Sequence, residues 1–163
     1  MSQIFVRSCA ALLVLSGCHQ KNALADQQQA MNVVTGDDHV DVAANSTCRM
    51  FSRAEAGSYI GDSVGAPENA AMGAGCAWSA GESGEVVVAI VPADNHEPPK
   101  NAAGFRKIGS PGREGFVVPD MGGWIAGAIV GDKAIRVTVI GKAASEQSAV
   151  KLLTDAASRI SSD

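Results

Sequence analysis

Aromatic residues are scarce in this chain. Four Phe, two Trp and one Tyr make up 4% of its 163 residues. Gly and Ala are abundant, and a core must therefore be assembled from Val, Ile, Leu and Ala. Positive charge is also thin, with 13 Lys and Arg against 17 Asp and Glu. A nucleic-acid interface needs a basic face, so this balance argues against one. No apolar run reaches the roughly 20 residues that a membrane-spanning helix requires. Only three histidines and four cysteines are present, which leaves few ways to build a metal centre.

What is present begins at the amino terminus. Arg7 is the one charge among residues 1–17, and Ser8 to Leu15 form a short apolar run before the small pair Ser16-Gly17. A basic start, a 7–15-residue apolar stretch and small residues at the cut are the three parts of a secretory signal. Leu15-Ser16-Gly17-Cys18 resembles the lipobox of bacterial lipoproteins, Leu-(Ala/Ser)-(Gly/Ala)-Cys, at all four positions. The resemblance implies a signal peptide over 1–17, diacylglycerol on the Cys18 thiol, cleavage after Gly17 and acylation of the new amino group. Each buried CH₂ contributes roughly 0.8 kcal/mol, and stable anchoring takes at least two acyl chains. The membrane is thus an expected partner through the lipid on Cys18. His19 stands where an aspartate would mark retention at the inner membrane. That sorting rule points to the outer membrane, with the domain facing the periplasm or the cell surface.

Loss of residues 1–17 removes Arg7 and leaves 12 Lys and Arg against 17 Asp and Glu, a net charge of −5. Of the four cysteines, Cys9 leaves with the signal and Cys18 takes lipid. Cys48 and Cys76 remain in an oxidising compartment, where a disulfide is the default. It would close a loop of about 28 residues, worth roughly 3 kcal/mol through lost unfolded-chain entropy. A metal pair would need a second pair or a histidine nearby.

Residues 18–46 read as a lipidated, polar tether, and residues 47–163 as one folded domain. Ser52-Arg53-Ala54-Glu55 matches a capping box. A helix is expected from Arg53 to Ile60, with Gly61 just past its end. Residues 61–75 read as a loop. Strands are expected at Cys76 to Ser79, Glu85 to Val91, Gly115 to Val118, Trp124 to Val130 and Ala134 to Ile140. Asn101 to Ile108 reads as a short helix. The last helix should run from about Ser145 to Ile160, with Val150, Leu153, Ala157 and Ile160 on one stripe. Lys151, Asp155 and Arg159 fall away from that stripe. Short connections make neighbouring strands antiparallel. The expected class is α+β: an antiparallel sheet of about five strands, a short N-terminal helix, a C-terminal helix packed on the sheet and one disulfide. The pattern of Cys48, Glu55, Gly61, Cys76 and Trp78 is similar to uncharacterised lipoprotein domains common in actinobacteria. That likeness implies a one-disulfide envelope domain and brings no catalytic residues with it.

Candidate chemistry is sparse. Gly61-Asp62-Ser63-Val64-Gly65 matches Gly-x-Ser-x-Gly, the elbow on which serine hydrolases mount a nucleophile. That elbow lies between a strand and a helix, whereas here a capped helix precedes the motif and a Gly/Pro loop follows it. Asp37, Asp38, His39 and Asp41 fall in the tether, where no fold would hold them around a cation. His96 stands beside Glu97 in an exposed loop. Trp78 and Trp124 either pack over the disulfide or form an aromatic patch for a partner protein or glycan. Arg136 sits within a strand and should point to solvent. No residue set calls for a metal or cofactor. The expectation is a membrane-anchored envelope lipoprotein whose domain binds or supports another component without catalysis. Its alternatives are a periplasmic inhibitor or ligand-sensing domain, and a small serine hydrolase using Ser63.

Overall fold

A computed structural model describes residues 41–160 of the chain. Cys18, the expected signal peptide, residues 18–40 of the expected tether, and with them Asp37, Asp38 and His39, lie outside the described residues. The elements are α1 (Ser46–Arg49), α2 (Arg53–Ser58), β1 (Glu68–Ala70), β2 (Gly75–Ser79), β3 (Gly84–Pro92), β4 (Arg106–Lys107), β5 (Arg113–Asp120), β6 (Gly123–Val130), β7 (Lys133–Gly141) and α3 (Glu146–Ile160). The strands form one seven-stranded sheet in the order β1-β2-β3-β7-β6-β5-β4. Every pairing is antiparallel. The α+β class, the antiparallel sheet, the C-terminal helix and the disulfide are as the sequence implies.

The sheet follows from period-two patterning. Val86 and Val88 of β3 and Ile135, Val137 and Val139 of β7 turn to one face and are buried. Val86 pairs with Val139 and Val88 with Val137, so the two central strands present one continuous apolar surface. α3 lies over β5, β6 and β7. Ser145 and Ser148 cap its start reciprocally, each hydroxyl accepting the other's backbone N–H at 3.1 and 2.9 Å. Its fully buried positions are Ala149, Leu152, Leu153, Ala156 and Ala157. The stripe expected on Val150, Leu153, Ala157 and Ile160 is therefore rotated, and Val150 and Ile160 are half-buried at its margin. The physical reason is the small floor beneath. Ala126 and Ala128 of β6 let alanines of the helix sit close, so Leu152 reaches the sheet.

Two strands beyond the expected five complete the sheet. β1 and β4 have three and two residues and polar sequences, which leaves no period to read. The loop expected over 61–75 thus contains β1. The helix expected at Asn101 to Ile108 is instead a turn followed by β4. Gly104 adopts φ +77°, and the chain there passes so close to Pro119 that a Cβ would lie 2.7 Å from its Cγ. β5 runs past the expected end at Val118 and continues through Pro119 to Asp120. β4 pairs only with Phe116 and Val117, so at Pro119 the strand is an edge and no ladder bond is lost.

The tether expected to end at residue 46 gives way earlier. Asp41 to Ala44 form a turn, Val42 packs on the core and Asn45 is buried. α2 is shorter than expected, because the chain leaves the helix after Ser58 and Gly61 takes φ +69°.

Candidate functional site

Four arrangements bear on function, beginning with the one around the cysteines. Cys48 and Cys76 are bonded, with Cα atoms 5.0 Å apart, and both are buried. The bond ties α1 to β2. Asn45 tightens the same junction. Its Oδ1 accepts from Thr47 N at 2.9 Å and so caps α1. Its Nδ2 donates to Gly75 O at 2.9 Å and to Asn69 Oδ1 at 2.8 Å. One buried side chain thus satisfies a helix start and a strand end together.

The Gly61–Gly65 motif borders an open hollow of about 630 Å³ lined by Arg53, Gly57, Ser58, Gly61, Asp62 and Ser63. Asp62 accepts from Ser83 Oγ at 2.8 Å and from the Ser63 N–H at 2.7 Å. Those bonds, Ser83 first, hold its carboxyl below the usual range. The capped α2 precedes the motif and a loop follows it, so the strand–turn–helix elbow is not formed. His96, the one histidine among the described residues, instead donates from Nε2 to Glu114 O at 3.1 Å on β5.

A third arrangement joins α2 to α3. Tyr59 donates to Asp155 Oδ2 at 2.5 Å, and Lys151 bonds the same oxygen at 2.6 Å. Arg159 bonds Glu55 Oε1 at 2.7 Å and lies 4.0 Å from the centre of the Phe51 ring. Lys151, Asp155 and Arg159, which fall away from the apolar stripe, are thus the docking face for α2. The capping box is complete, with Ser52 N–H donating to Glu55 Oε2 at 2.8 Å. That bond, then the one from Arg159, lowers Glu55 to about 2. Burial, then the Asp155 carboxylate, pushes the Tyr59 hydroxyl well above its ordinary value. Partial burial raises Asp155, but the bonds from Lys151 and Tyr59 outweigh it and its carboxyl ends below the usual range.

The last arrangement is the sheet face turned away from the helices. In register, Gly75, Ala89, Arg136, Gly127 and Phe116 form one row across β2, β3, β7, β6 and β5. Phe116, Val118 and Ile125 make a second, smaller cluster there, with Phe105 packed against it. The connection between β3 and β4 passes the β6–β7 turn, where Ala93 N–H donates to Asp132 O at 2.9 Å. It then places the His96 ring 5.8 Å from that of Phe116. This leaves a hollow of about 330 Å³ with Arg136 in its lining.

The two tryptophans are not on that face. Trp78 is 0% exposed, 6.1 Å from the Phe51 ring, so it is a core residue and not a partner contact. Its Nε1 has no hydrogen-bond partner among the described residues. Trp124 is half-buried and packs against the main core. Asp41 Oδ1 accepts from Ala43 N at 2.9 Å, a local turn bond. Among the described residues, no three His, Cys, Asp or Glu side chains gather as metal ligands would. Asn45 and the Arg136 row are the features that sequence reasoning missed. Strand alternation put Arg136 on the outward face, but no sequence signal showed which neighbours it would meet there.

No protein-family model, no curated protein and no solved structure matches this chain.

Proposed function

We propose that the chain is a membrane-anchored envelope lipoprotein whose domain is a non-catalytic binding or structural module. The observation that carries the reading is the buried Cys48–Cys76 bond. A disulfide that ties a helix to the sheet is at home in an oxidising compartment. It agrees with the export and lipidation implied by Leu15-Ser16-Gly17-Cys18. Lipid on Cys18 would hold the domain at the membrane, and the residue at position 19 favours the outer one. An envelope protein or a glycan is the proposed partner.

A second reading, a periplasmic inhibitor or ligand-sensing domain, is favoured by one observation. The hollow at Arg136 has a volume in the range of small-ligand sites.

The deciding experiment is the intact mass of the protein extracted from its host's membranes. The expected mass is that of residues 18–163 plus a diacylglyceryl and an acyl group, less two hydrogens for the disulfide. A Cys18→Ala chain should then leave the membrane fraction. An unlipidated mass overturns the anchor.

A further inference from the structure

We propose that the hollow around Arg136 binds a small monoanionic ligand with a flat apolar body, of which an aromatic carboxylate is the simplest kind. This rests on the ligand-sensing reading and names the ligand class that reading leaves open.

The charge comes first. Arg136 is exposed in the middle of β7, and its guanidinium makes no ion pair or hydrogen bond among the described residues. On a sheet face an arginine gains most from an acid directly across the strand. Here both cross-strand neighbours lack one, since Ala89 stands on β3 and Gly127 on β6. The guanidinium therefore presents a free fork of donors above a floor of small residues. That geometry matches a carboxylate, which accepts two parallel bonds.

The shape comes from the same row. A Cβ at Gly127 would lie 2.6 Å from Phe116 Cε1, so the Phe116 ring rests over that glycine. Phe105 stacks on Phe116 at 5.9 Å, and His96 flanks it. The ring is thereby held as a wall beside Arg136. Val91 and Ala134 extend the apolar floor. A flat body fits between floor and wall, and its anion reaches Arg136. Glu97, the one carboxylate of the lining, opposes a ligand carrying a second negative charge.

The test uses 2-naphthoate titrated into the full-length chain and followed by backbone amide resonances. Saturable binding is expected, with shifts centred on Ala89, Phe116, Gly127 and Arg136. Arg136→Gln should weaken it about tenfold or more, because a bond to a charged group is lost. The neutral 2-naphthalenemethanol should bind correspondingly worse. Ala89→Leu, which fills the floor from a half-exposed position, should abolish binding while leaving the thermal midpoint near that of the parent. Shifts centred elsewhere, no saturation, or equal affinity in the parent, Arg136→Gln and Ala89→Leu overturn the proposal. A Cys18→Ser chain should bind naphthoate unchanged. Failure of the anchor and failure of this site therefore register in different experiments.

Discussion

The Tyr59 hydroxyl meets the Asp155 carboxylate at 2.5 Å, across 96 positions of chain. The bond joins a helix of six residues to the long C-terminal helix. A six-residue helix is too short to hold itself in water. α2 persists because its cap, its disulfide-linked neighbour and this seam all restrain it.

Tyr59→Phe tests the seam. It removes the hydroxyl and keeps the ring against Phe51. Asp155 retains Lys151, so the loss should be about 1.5–3 kcal/mol, the worth of one hydrogen bond to a charged group. Urea unfolding of the two chains measures it. Equal midpoints would show that the ring alone holds α2.

Acid should loosen the same region. Glu55 is lowered to about 2 in the folded state, by its bond to the Ser52 backbone and then by Arg159. A depressed carboxylate contributes stability that is present above its unfolded value and is lost as pH falls through the folded one. Asp62 and Asp155 are shifted in the same direction. The thermal midpoint of the parent should therefore fall between about pH 5 and pH 2. Glu55→Gln should lower the midpoint near neutrality and flatten the decline. Parallel curves for the two chains would be evidence against the assignment. The carboxyl is largely exposed, so solvent screening keeps the effect small.

Reduction should act on the fold as a whole. Replacing Cys48 and Cys76 together by Ser removes a link spanning 28 positions, at a cost of about 3 kcal/mol in unfolded-chain entropy. Denaturant midpoints with and without reductant should differ in the parent and coincide in the double variant. No shift on reduction would mean that the Asn45 bonds already secure α1.

Legibility in the sequence tracked the distance between interacting residues. The Ser52–Glu55 capping box was readable because both partners lie within one turn. The strands Trp124 to Val130 and Ala134 to Ile140 were readable because each is a local apolar run, with only Gly131-Asp132-Lys133 between them. Cys48 and Cys76 could be paired by elimination, because the lipobox resemblance implies other destinations for the other two cysteines. Asn45 was not readable, since its partners Asn69, Gly73 and Gly75 lie 24 to 30 positions away. β1 and β4 escaped for another reason: a two- or three-residue edge strand carries no period, and its existence is decided by the strand beside it.

By itself, then, the sequence determined the α+β class, the disulfide and the alternating faces of β3, β6 and β7, because propensity and period act through near neighbours. Only the tertiary structure decided the rest. It brought β7 back beside β3, so that Arg136 faced Ala89 and Gly127. It carried the β3–β4 connection to Phe116, and it turned Lys151, Asp155 and Arg159 from a solvent face into a docking seam. Those outcomes depend on how sheet and helices pack, and packing is a property of the whole chain.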